Sequence, residues 1–372
     1  MSPLAPKFTV PPTLRSWAEV NLHALRHNLA TIRELIGPKP AILAVVKANA
    51  YGHGTAEIAR AIAHDVAIFG VASLSEAQAA ASAGTGRDIM LLSPCLPAER
   101  ELARDFIVTV SSADEAAAFA AFGPVRVNFK VDTGMGRIGA WQEEALDHVR
   151  AIAKLPGVQL HSISTHLPSS DEDWDFTNGQ LATFSILVQK FRDISPDVRI
   201  HSLNSAGILA FPEHASDLVR AGLILYGTSP LPEFQHRFLP VLAWKTRVTL
   251  VRSLPAGTGV SYGRTFLTSR PTRTAVLAVG YADGFPRHAS GRETPILIGG
   301  RRYPTIGRVT MDQIVVDITD GGDAISPGDE AVLIGRQGAH EITAAELAAN
   351  ADTIPWEIFT GIKGRVARIY AG

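Results

Sequence analysis

Short apolar segments alternate with longer helical segments from about residue 41 to residue 227, and this alternation constrains the fold more than any other feature. Eight apolar segments are rich in Val, Ile and Leu without strict alternation with polar residues, as in strands buried on both faces. They span residues 41–47, 68–73, 88–93, 106–112, 126–132, 158–166, 198–205 and 218–227. Helical patterns lie between them, for example at 55–64, 141–154 and 178–194. Eight strand-then-helix units predict a (β/α)8 TIM-like barrel, with a doubly wound open sheet as the alternative.

Beyond about residue 238 the pattern changes to short strands separated by Gly, Pro and Asp turns. The strand candidates span residues 241–254, 275–279, 296–298, 313–318 and 330–334. The sequence therefore predicts an α/β + β fold, in which a barrel domain at 1–238 precedes a mostly β domain at 239–372.

Composition and charge exclude several classes of function. The 35 Lys and Arg residues nearly balance the 36 Asp and Glu residues, so no charged field predicts nucleic acid or a membrane surface as partner. No apolar stretch approaches the roughly 18 residues of a membrane span or resembles a signal peptide, so we expect a cytoplasmic protein. Cys95 is the only cysteine, which rules out an intrachain disulfide and a cysteine metal cluster, and we expect no metal site.

In a barrel of this kind, functional residues lie at the carboxyl ends of strands and in the loops that follow. That rule selects Lys47, Lys130 with Asp132, His166, Asn204 with Ser205, and Arg220 with Gly222. A lysine at the mouth of a barrel can lose its proton by desolvation and form a Schiff base, although it can equally just reach water.

The loops after strands seven and eight often bind phosphate in such barrels. There the Ser205 hydroxyl and the backbone amides of Gly222 and Leu223 are candidate donors to phosphate oxygens, while the alternative is two ordinary barrel loops.

The segment Ala44-Val-Val-Lys-Ala-Asn-Ala-Tyr-Gly-His-Gly54 resembles the cofactor-attachment signature of alanine racemases, and similar segments extend from Arg15 to Tyr370. The resemblance implies an isomerase that depends on pyridoxal 5'-phosphate (PLP) and interconverts L-alanine and D-alanine. Lys47 matches the lysine that holds the cofactor, and Tyr51 matches a tyrosine that contacts its phosphate. It also implies phosphate contacts from Asn204, Ser205, Gly222 and Leu223.

The segment Lys130-Val-Asp-Thr-Gly-Met-Gly-Arg-Ile-Gly139 contains G-x-G-x-x-G, which also fits a dinucleotide-binding fold. That fold needs an acidic residue at the end of the next strand, but this strand ends in Thr165-His166. The resemblance instead implies that Arg137 binds the phenolic oxygen of PLP and the substrate carboxylate. It matches Lys130 to a lysine that is carbamylated in many members, and His166 to a histidine in a relay near the pyridine ring.

Arg220 and Tyr262 carry the reaction that the resemblance implies. Arg220 matches the residue facing the pyridine nitrogen, and a guanidinium can only donate, so the nitrogen stays unprotonated and the cofactor is a weak electron sink. A weak sink favours return of the proton to the α-carbon, whereas an amino-acid decarboxylase, one alternative, typically has an acidic group there. A broad-specificity racemase is a closer alternative, although such enzymes are often exported. Tyr262 matches the acid/base opposite Lys47 that reaches the site from the other subunit, which implies a homodimer with shared active sites.

Three further segments complete the resemblance. Tyr281 matches a tyrosine that narrows the entrance, and the Met311-Asp312 segment matches one that binds the substrate carboxylate. Trp356 stands where the family usually has a tyrosine near the phosphate, and indole can donate a hydrogen bond but cannot accept one. This difference predicts a reshaped pocket, so serine and other small amino acids are candidate substrates beside alanine. A non-catalytic PLP carrier, another alternative, would lack the β domain.

Overall fold

The computed structural model describes residues 6–372, which form two compact units. The barrel unit comprises Leu25–Ala50 and Thr55–Leu239, and the sheet unit comprises residues 6–24, Tyr51–Gly54 and Pro240–Gly372.

Up to residue 221 the described chain has ten strands: β1 (Ser16–Asn21), β2 (Ala41–Val45), β3 (Ile68–Val71), β4 (Asp88–Leu91), β5 (Ile107–Val110), β6 (Val125–Asp132), β7 (Ala140–Trp141), β8 (Val158–Ser164), β9 (Arg199–His201) and β10 (Leu218–Ala221). The rest of it has ten more: β11 (Leu242–Leu254), β12 (Gly259–Val260), β13 (Phe266–Leu267), β14 (Thr272–Leu277), β15 (Pro295–Ile298), β16 (Arg301–Ile306), β17 (Ile314–Asp317), β18 (Glu330–Gln337), β19 (His340–Ile342) and β20 (Ala367–Ala371).

The helices in the same described range are α1 (Leu22–Ile36), α2 (Lys47–Tyr51), α3 (Thr55–Ile62), α4 (Leu74–Ala81), α5 (Arg100–Ala103), α6 (Ala113–Ala120), α7 (Ala145–Ile152), α8 (Trp174–Ile194), α9 (Ser205–Ala210), α10 (Ala344–Asn350) and α11 (Pro355–Gly361). Several short 3-10 turns connect these elements.

The barrel unit is built on eight parallel strands in the order β10-β2-β3-β4-β5-β6-β8-β9. Backbone hydrogen bonds from Asp217 N to Ile200 O and from Arg220 N to Leu203 O bring the first and last strands of this order together, so the sheet closes. The strand interiors are fully buried because helices cover a parallel sheet on its outer face. The predicted barrel is therefore confirmed, and the open-sheet alternative is not.

Two barrel helices start in the same way. Ser73 caps α4 by accepting a hydrogen bond from Glu76 N, and Ser112 caps α6 by accepting one from Glu115 N. A serine followed three residues later by glutamate is the capping-box sequence that stabilises a helix start.

The sheet unit contains a nine-stranded sheet in the order β19-β18-β15-β16-β17-β14-β11-β1-β20. Strand β11 pairs antiparallel with β1, β14 and β18, while β20 lies parallel to β1. The predicted mostly β character is confirmed, although the unit also carries α10 and α11. The division predicted at 1–238 and 239–372 differs from the two compact units, because β1 pairs inside this sheet.

Within the described residues, no helix has the length and apolarity needed to cross a membrane.

Candidate active site

Lys47 lies just after β2 and is the first residue of α2, which is a short left-handed turn and not a regular α-helix. The four residues after Lys47, 48–51, have φ between +51° and +55° although none is glycine. Left-handed backbone costs an L-residue about 1–2 kcal/mol, so this turn persists only because its surroundings hold it. One holding contact is a hydrogen bond of 2.7 Å from Ala48 N to the Glu76 carboxylate.

The environment of Lys47 increases the fraction of its amine that is neutral. Its side chain is exposed at the end of the barrel, yet the surrounding protein desolvates it and the Arg137 guanidinium repels a second positive charge, so its pKa is lowered. The Glu76 carboxylate opposes both effects and raises this pKa. A neutral lysine is the nucleophile and base that covalent amine chemistry needs.

Arg220, near the carboxyl end of β10, is 5% exposed and donates hydrogen bonds to neighbouring strand ends. Its guanidinium donates to three backbone carbonyls, those of Thr165 at 2.9 Å, Ser202 at 2.6 Å and His201 at 3.1 Å. It also donates to the Nδ1 atoms of His166 at 3.1 Å and His201 at 2.8 Å. Burial lowers the pKa of Arg220 to about 10, which leaves it protonated at neutral pH.

The direction of these bonds sets the protonation of both histidines. Because a guanidinium only donates, Nδ1 accepts in each ring and the ring proton is on Nε2. In His201 that proton is donated to Asn128 Oδ1 at 3.1 Å. Burial, and next the charge of Arg220, hold the pKa of His166 and of His201 well below the usual value, so both rings are neutral.

The glycine-rich segment after β6 wraps around the carboxylate of Asp132. That carboxylate accepts backbone hydrogen bonds from Gly134 at 2.9 Å, Met135 at 2.8 Å and Arg137 at 3.0 Å. The segment leads into β7, and α7 begins only at Ala145. A dinucleotide fingerprint opens directly into a helix, so this geometry argues against that alternative.

Lys130, near the end of β6, lies close to the guanidinium groups of Arg220 and Arg137. Burial, followed by the charges of Arg220 and Arg137, holds its pKa well below the usual value, while Asp132 raises it. A lowered pKa increases the fraction of the neutral amine, which is the form that reacts with carbon dioxide.

The structure brings together the two loops selected as phosphate ligands. The Ser205 hydroxyl accepts a hydrogen bond of 3.1 Å from Gly222 N. Asn204 caps α9, since its Oδ1 accepts from Gly207 N at 2.9 Å and its Nδ2 donates to Leu167 O at 2.9 Å. Asn204 thus fixes the loop that presents Ser205, and Leu223 follows Gly222 at the start of a buried 3-10 turn.

In the sheet unit, Tyr262 is 74% exposed in a 3-10 turn. The residue before it, Ser261, has φ of +61° and donates its hydroxyl to Arg308 O at 2.6 Å. Met311 is also 53% exposed. Large side chains displayed in this way on one chain are typical of residues that act against another surface.

Tyr281 and Met311 are carried by two segments that lie directly against each other. Tyr281 N donates to Thr310 O at 3.0 Å, and a Cβ at Gly280 would lie 2.3 Å from the same oxygen, so only glycine fits there. Arg365 bridges these segments, because its guanidinium pairs with Asp283 at 3.2 Å and with Asp312 at 2.8 Å.

Tyr51 and Trp356 are likewise carried by adjacent segments of the sheet unit. A Cβ at Gly52 would lie 2.1 Å from the carbonyl oxygen of Phe359, which belongs to the same helix as Trp356, α11. Burial raises the pKa of Tyr51 to about 12, so its hydroxyl stays protonated and can donate.

Comparison with known proteins identifies the family. The model described as "Alanine racemase, N-terminal domain" matches residues 20–230, and "Alanine racemase, C-terminal domain" matches 241–370. The chain belongs to the alanine racemase family. Alanine racemase of Halothermothrix orenii is 39% identical over 96% of this chain and 97% of its own, and that of Symbiobacterium thermophilum is 41% identical over the same shares.

Solved structures of alanine racemases agree with the whole fold. The enzyme from D-cycloserine producing Streptomyces lavendulae is 37% identical, with a TM-score of 0.89 over 98% of both chains. The Bacillus anthracis enzyme with bound L-Ala-P is 31% identical, with a TM-score of 0.89 over 98% of this chain and 96% of its own. Alanine racemases are isomerases that depend on PLP, so the enzyme class and the cofactor expected from the sequence are confirmed.

The charge of the barrel unit fits this cofactor. After burial, four basic side chains lower the pKa of His166, and in order of effect they are Arg220, Lys130, Arg137 and Lys47. Glu76 raises the pKa of Lys47 and Asp132 raises that of Lys130. PLP carries an anionic phosphate and a phenolic oxygen, so a cluster with two guanidinium groups and two lysines of lowered pKa has the donors and the amine that it requires.

Two residues of this cluster were missed by sequence reasoning. His201 is the last residue of a short strand, and nothing local marks it as a partner of Arg220. Glu76 was open to detection, because Ser73 three residues earlier completes a capping-box signal at the carboxyl end of β3.

Proposed function

We propose that this chain interconverts L-alanine and D-alanine with two acid/base groups, Lys47 on one face of the α-carbon and Tyr262 of the partner subunit on the other. Arg220 carries the proposal, since it is a buried guanidinium whose donor-only chemistry suits racemisation better than decarboxylation. When bound, PLP withdraws electrons from the α-carbon of an attached amino acid and thereby acidifies its hydrogen.

Lys47 would hold the cofactor and move a proton at the α-carbon. Its lowered pKa supports both tasks, because each needs an amine that is neutral for part of the time near neutral pH. The other barrel-unit residues that would hold the cofactor are Arg137, His166, Ser205, Arg220, Gly222 and Leu223, and Asn204 would position Ser205. Tyr51 and Trp356 of the sheet unit stay predictions as phosphate ligands.

His166 would connect Arg220 to the second acid/base group. Its Nδ1 accepts from Arg220, so its Nε2–H is the donor that remains. In the proposed assembly this donor serves the hydroxyl oxygen of Tyr262 of the partner subunit and stabilises that oxygen when its proton is on the substrate. The high exposure of Tyr262 in one chain supports action in a second copy.

Substrate carboxylate binding would use Arg137 together with the Met311 backbone amide and Asp312. Tyr281 would narrow the entrance, and carbamylated Lys130 would supply a negative group that holds Arg137. The lowered pKa of Lys130 supports the modification, because carbon dioxide reacts with an unprotonated amine. A homodimer, a cytoplasmic location and a role in D-alanine synthesis complete the proposal.

Incubation of the full-length protein with PLP and L-alanine in D2O tests the reaction. We expect D-alanine that carries deuterium at the α-carbon, resolved by chiral mass analysis. Lys47→Ala should abolish cofactor attachment and racemisation, and Tyr262→Phe should mainly slow proton removal from L-alanine. Unchanged L-alanine in the presence of bound PLP would favour another amino-acid substrate or a non-catalytic carrier.

Mixing the two impaired variants tests the shared site. Dimers that combine a Lys47→Ala chain with a Tyr262→Phe chain contain one site with both groups intact only if the tyrosine comes from the partner. We expect activity to appear after unfolding and refolding the mixture. Activity no greater than that of the two variants refolded separately would contradict a tyrosine supplied by the partner.

A further inference from the structure

Glu76 receives a backbone amide at each carboxylate oxygen. Its Oε2 accepts from Ala72 N at 2.8 Å, and its Oε1 accepts from Ala48 N at 2.7 Å. Ala72 directly follows β3, and Ala48 directly follows Lys47. One half-buried carboxylate therefore joins the end of β3 to the first residue of the left-handed turn.

Helix capping explains only one of these two contacts. Glu115 occupies the same position in α6, with Ser112 as the cap, and its carboxylate accepts from Ser111 N at 2.6 Å. That contact is equivalent to the one between Glu76 and Ala72. The bond from Ala48 is additional, and it lies beside Lys47.

The left-handed turn needs such a contact. Ala48 has φ of +51° and ψ of +50°, a conformation that alanine avoids in the absence of external constraints. The Ala48 amide donates a short hydrogen bond to a charged acceptor, which is stronger than one to a neutral acceptor. This bond fixes the orientation of the peptide group between Lys47 and Ala48. The direction in which the lysine side chain leaves the strand depends on that peptide.

We propose that Glu76 is a positioning residue for Lys47, which anchors the left-handed turn through Ala48 and faces the lysine with a negative charge. This role rests on the proposed function, in which Lys47 is the reacting lysine. Two charged groups act on Lys47: Arg137 lowers its pKa and Glu76 raises it. The third titratable group nearby, His166, is neutral. Glu76 thus limits the effect of Arg137 on the lysine.

Glu76→Gln tests the proposal, with Glu115→Gln as the matched control. An amide at position 76 removes the charge and meets one of the two N–H groups with its own NH2, so one bond is lost. Two quantities are measured on the full-length chain. One is the pH midpoint of Lys47 acetylation by acetic anhydride in PLP-free protein, followed by peptide mass analysis, and the other is kcat for alanine with saturating PLP.

For Glu76→Gln we expect a lower labelling midpoint, because Arg137 is then unopposed, and a kcat reduced about tenfold, the effect of one lost bond to a charged group. Glu115→Gln should change neither. Glu76→Asp keeps the charge but is too short to reach both amides, so its midpoint should stay near that of wild type while kcat falls.

The outcomes separate the two proposals. If Glu76→Gln labels and turns over like Glu115→Gln, the positioning role is wrong even though wild type racemises alanine. If the labelling midpoint shifts while wild type does not racemise alanine, Glu76 positions Lys47 but the proposed reaction is wrong. Should Glu76→Gln fail to fold by circular dichroism, Glu76→Asp decides, and a wild-type kcat in that variant overturns the role.

Discussion

Replacing Arg220 with lysine keeps one positive charge near the carboxyl end of β10 but removes the planar guanidinium with its N–H donors. Arg220 serves five acceptors through its two terminal nitrogens, namely three backbone carbonyls and two imidazole nitrogens. Lysine has three N–H groups on a single nitrogen, which cannot reach acceptors that are spread around two. At least two buried acceptors are expected to lose this donor, and of the five, His201 O is also bonded to Thr165 N, at 3.3 Å.

The size of the effect follows from that count. An unsatisfied buried acceptor costs about 1–3 kcal/mol, so one or two of them lower the free energy of unfolding by about 1–6 kcal/mol. This is a large fraction of the roughly 5–15 kcal/mol by which folded proteins are stable. The same substitution at an exposed ion pair should cost about 0.5 kcal/mol or less, and Arg150, paired with Asp147 on the surface of α7, provides that control.

Urea unfolding followed by far-UV circular dichroism measures both variants against wild type at one PLP concentration. We expect Arg220→Lys to shift the midpoint strongly and Arg150→Lys to leave it nearly unchanged. If Arg220→Lys unfolds within about 1 kcal/mol of wild type, the buried donor network does not have the energy assigned to it.

Three further predictions concern stability and specificity. Burial lowers the pKa of His161 to about 4 in the folded chain, whereas the unfolded chain binds this proton near pH 6.5. The contribution of neutral His161 to the free energy of unfolding is therefore fully present above pH 6.5 and is lost as the pH falls towards 4. Between pH 7 and pH 5 this partly exposed side chain should cost wild type about 1 kcal/mol of its free energy of unfolding. Urea unfolding of His161→Gln should show a smaller loss over the same pH range, and an equal loss would contradict the role of His161. Ala48→Gly should stabilise the folded chain by about 0.5–1 kcal/mol because glycine relieves the left-handed backbone strain. As a control, Ala79→Gly on the exposed face of α4 should destabilise it by about 1 kcal/mol. If thermal unfolding shows changes of the same sign for both variants, Ala48 is not strained. Trp356→Tyr should change the ratio of alanine to serine turnover, and an unchanged ratio would show that the indole does not shape substrate choice.

The sequence by itself determined the barrel and the location of its chemistry. Eight apolar segments of strand length, each followed by a helical pattern, leave few architectures, and parallel strands place their carboxyl ends at one end of a barrel. Lys47, Lys130, His166, Ser205 and Arg220 could be selected for that reason alone. Their proposed roles came from the family resemblance, because a lysine or histidine at a strand end has no unique chemistry.

Only the tertiary structure decided the pairing of β1 and the states of the site residues. Trp17 lies opposite Lys245, and a register between strands so distant in sequence depends on packing that no local pattern records. The left-handed turn after Lys47 is opposed by local preference, and Glu76 holds it from the first turn of α4. The neutral rings of His166 and His201 follow from burial and from the direction in which Arg220 donates, both of which exist only after the barrel has closed.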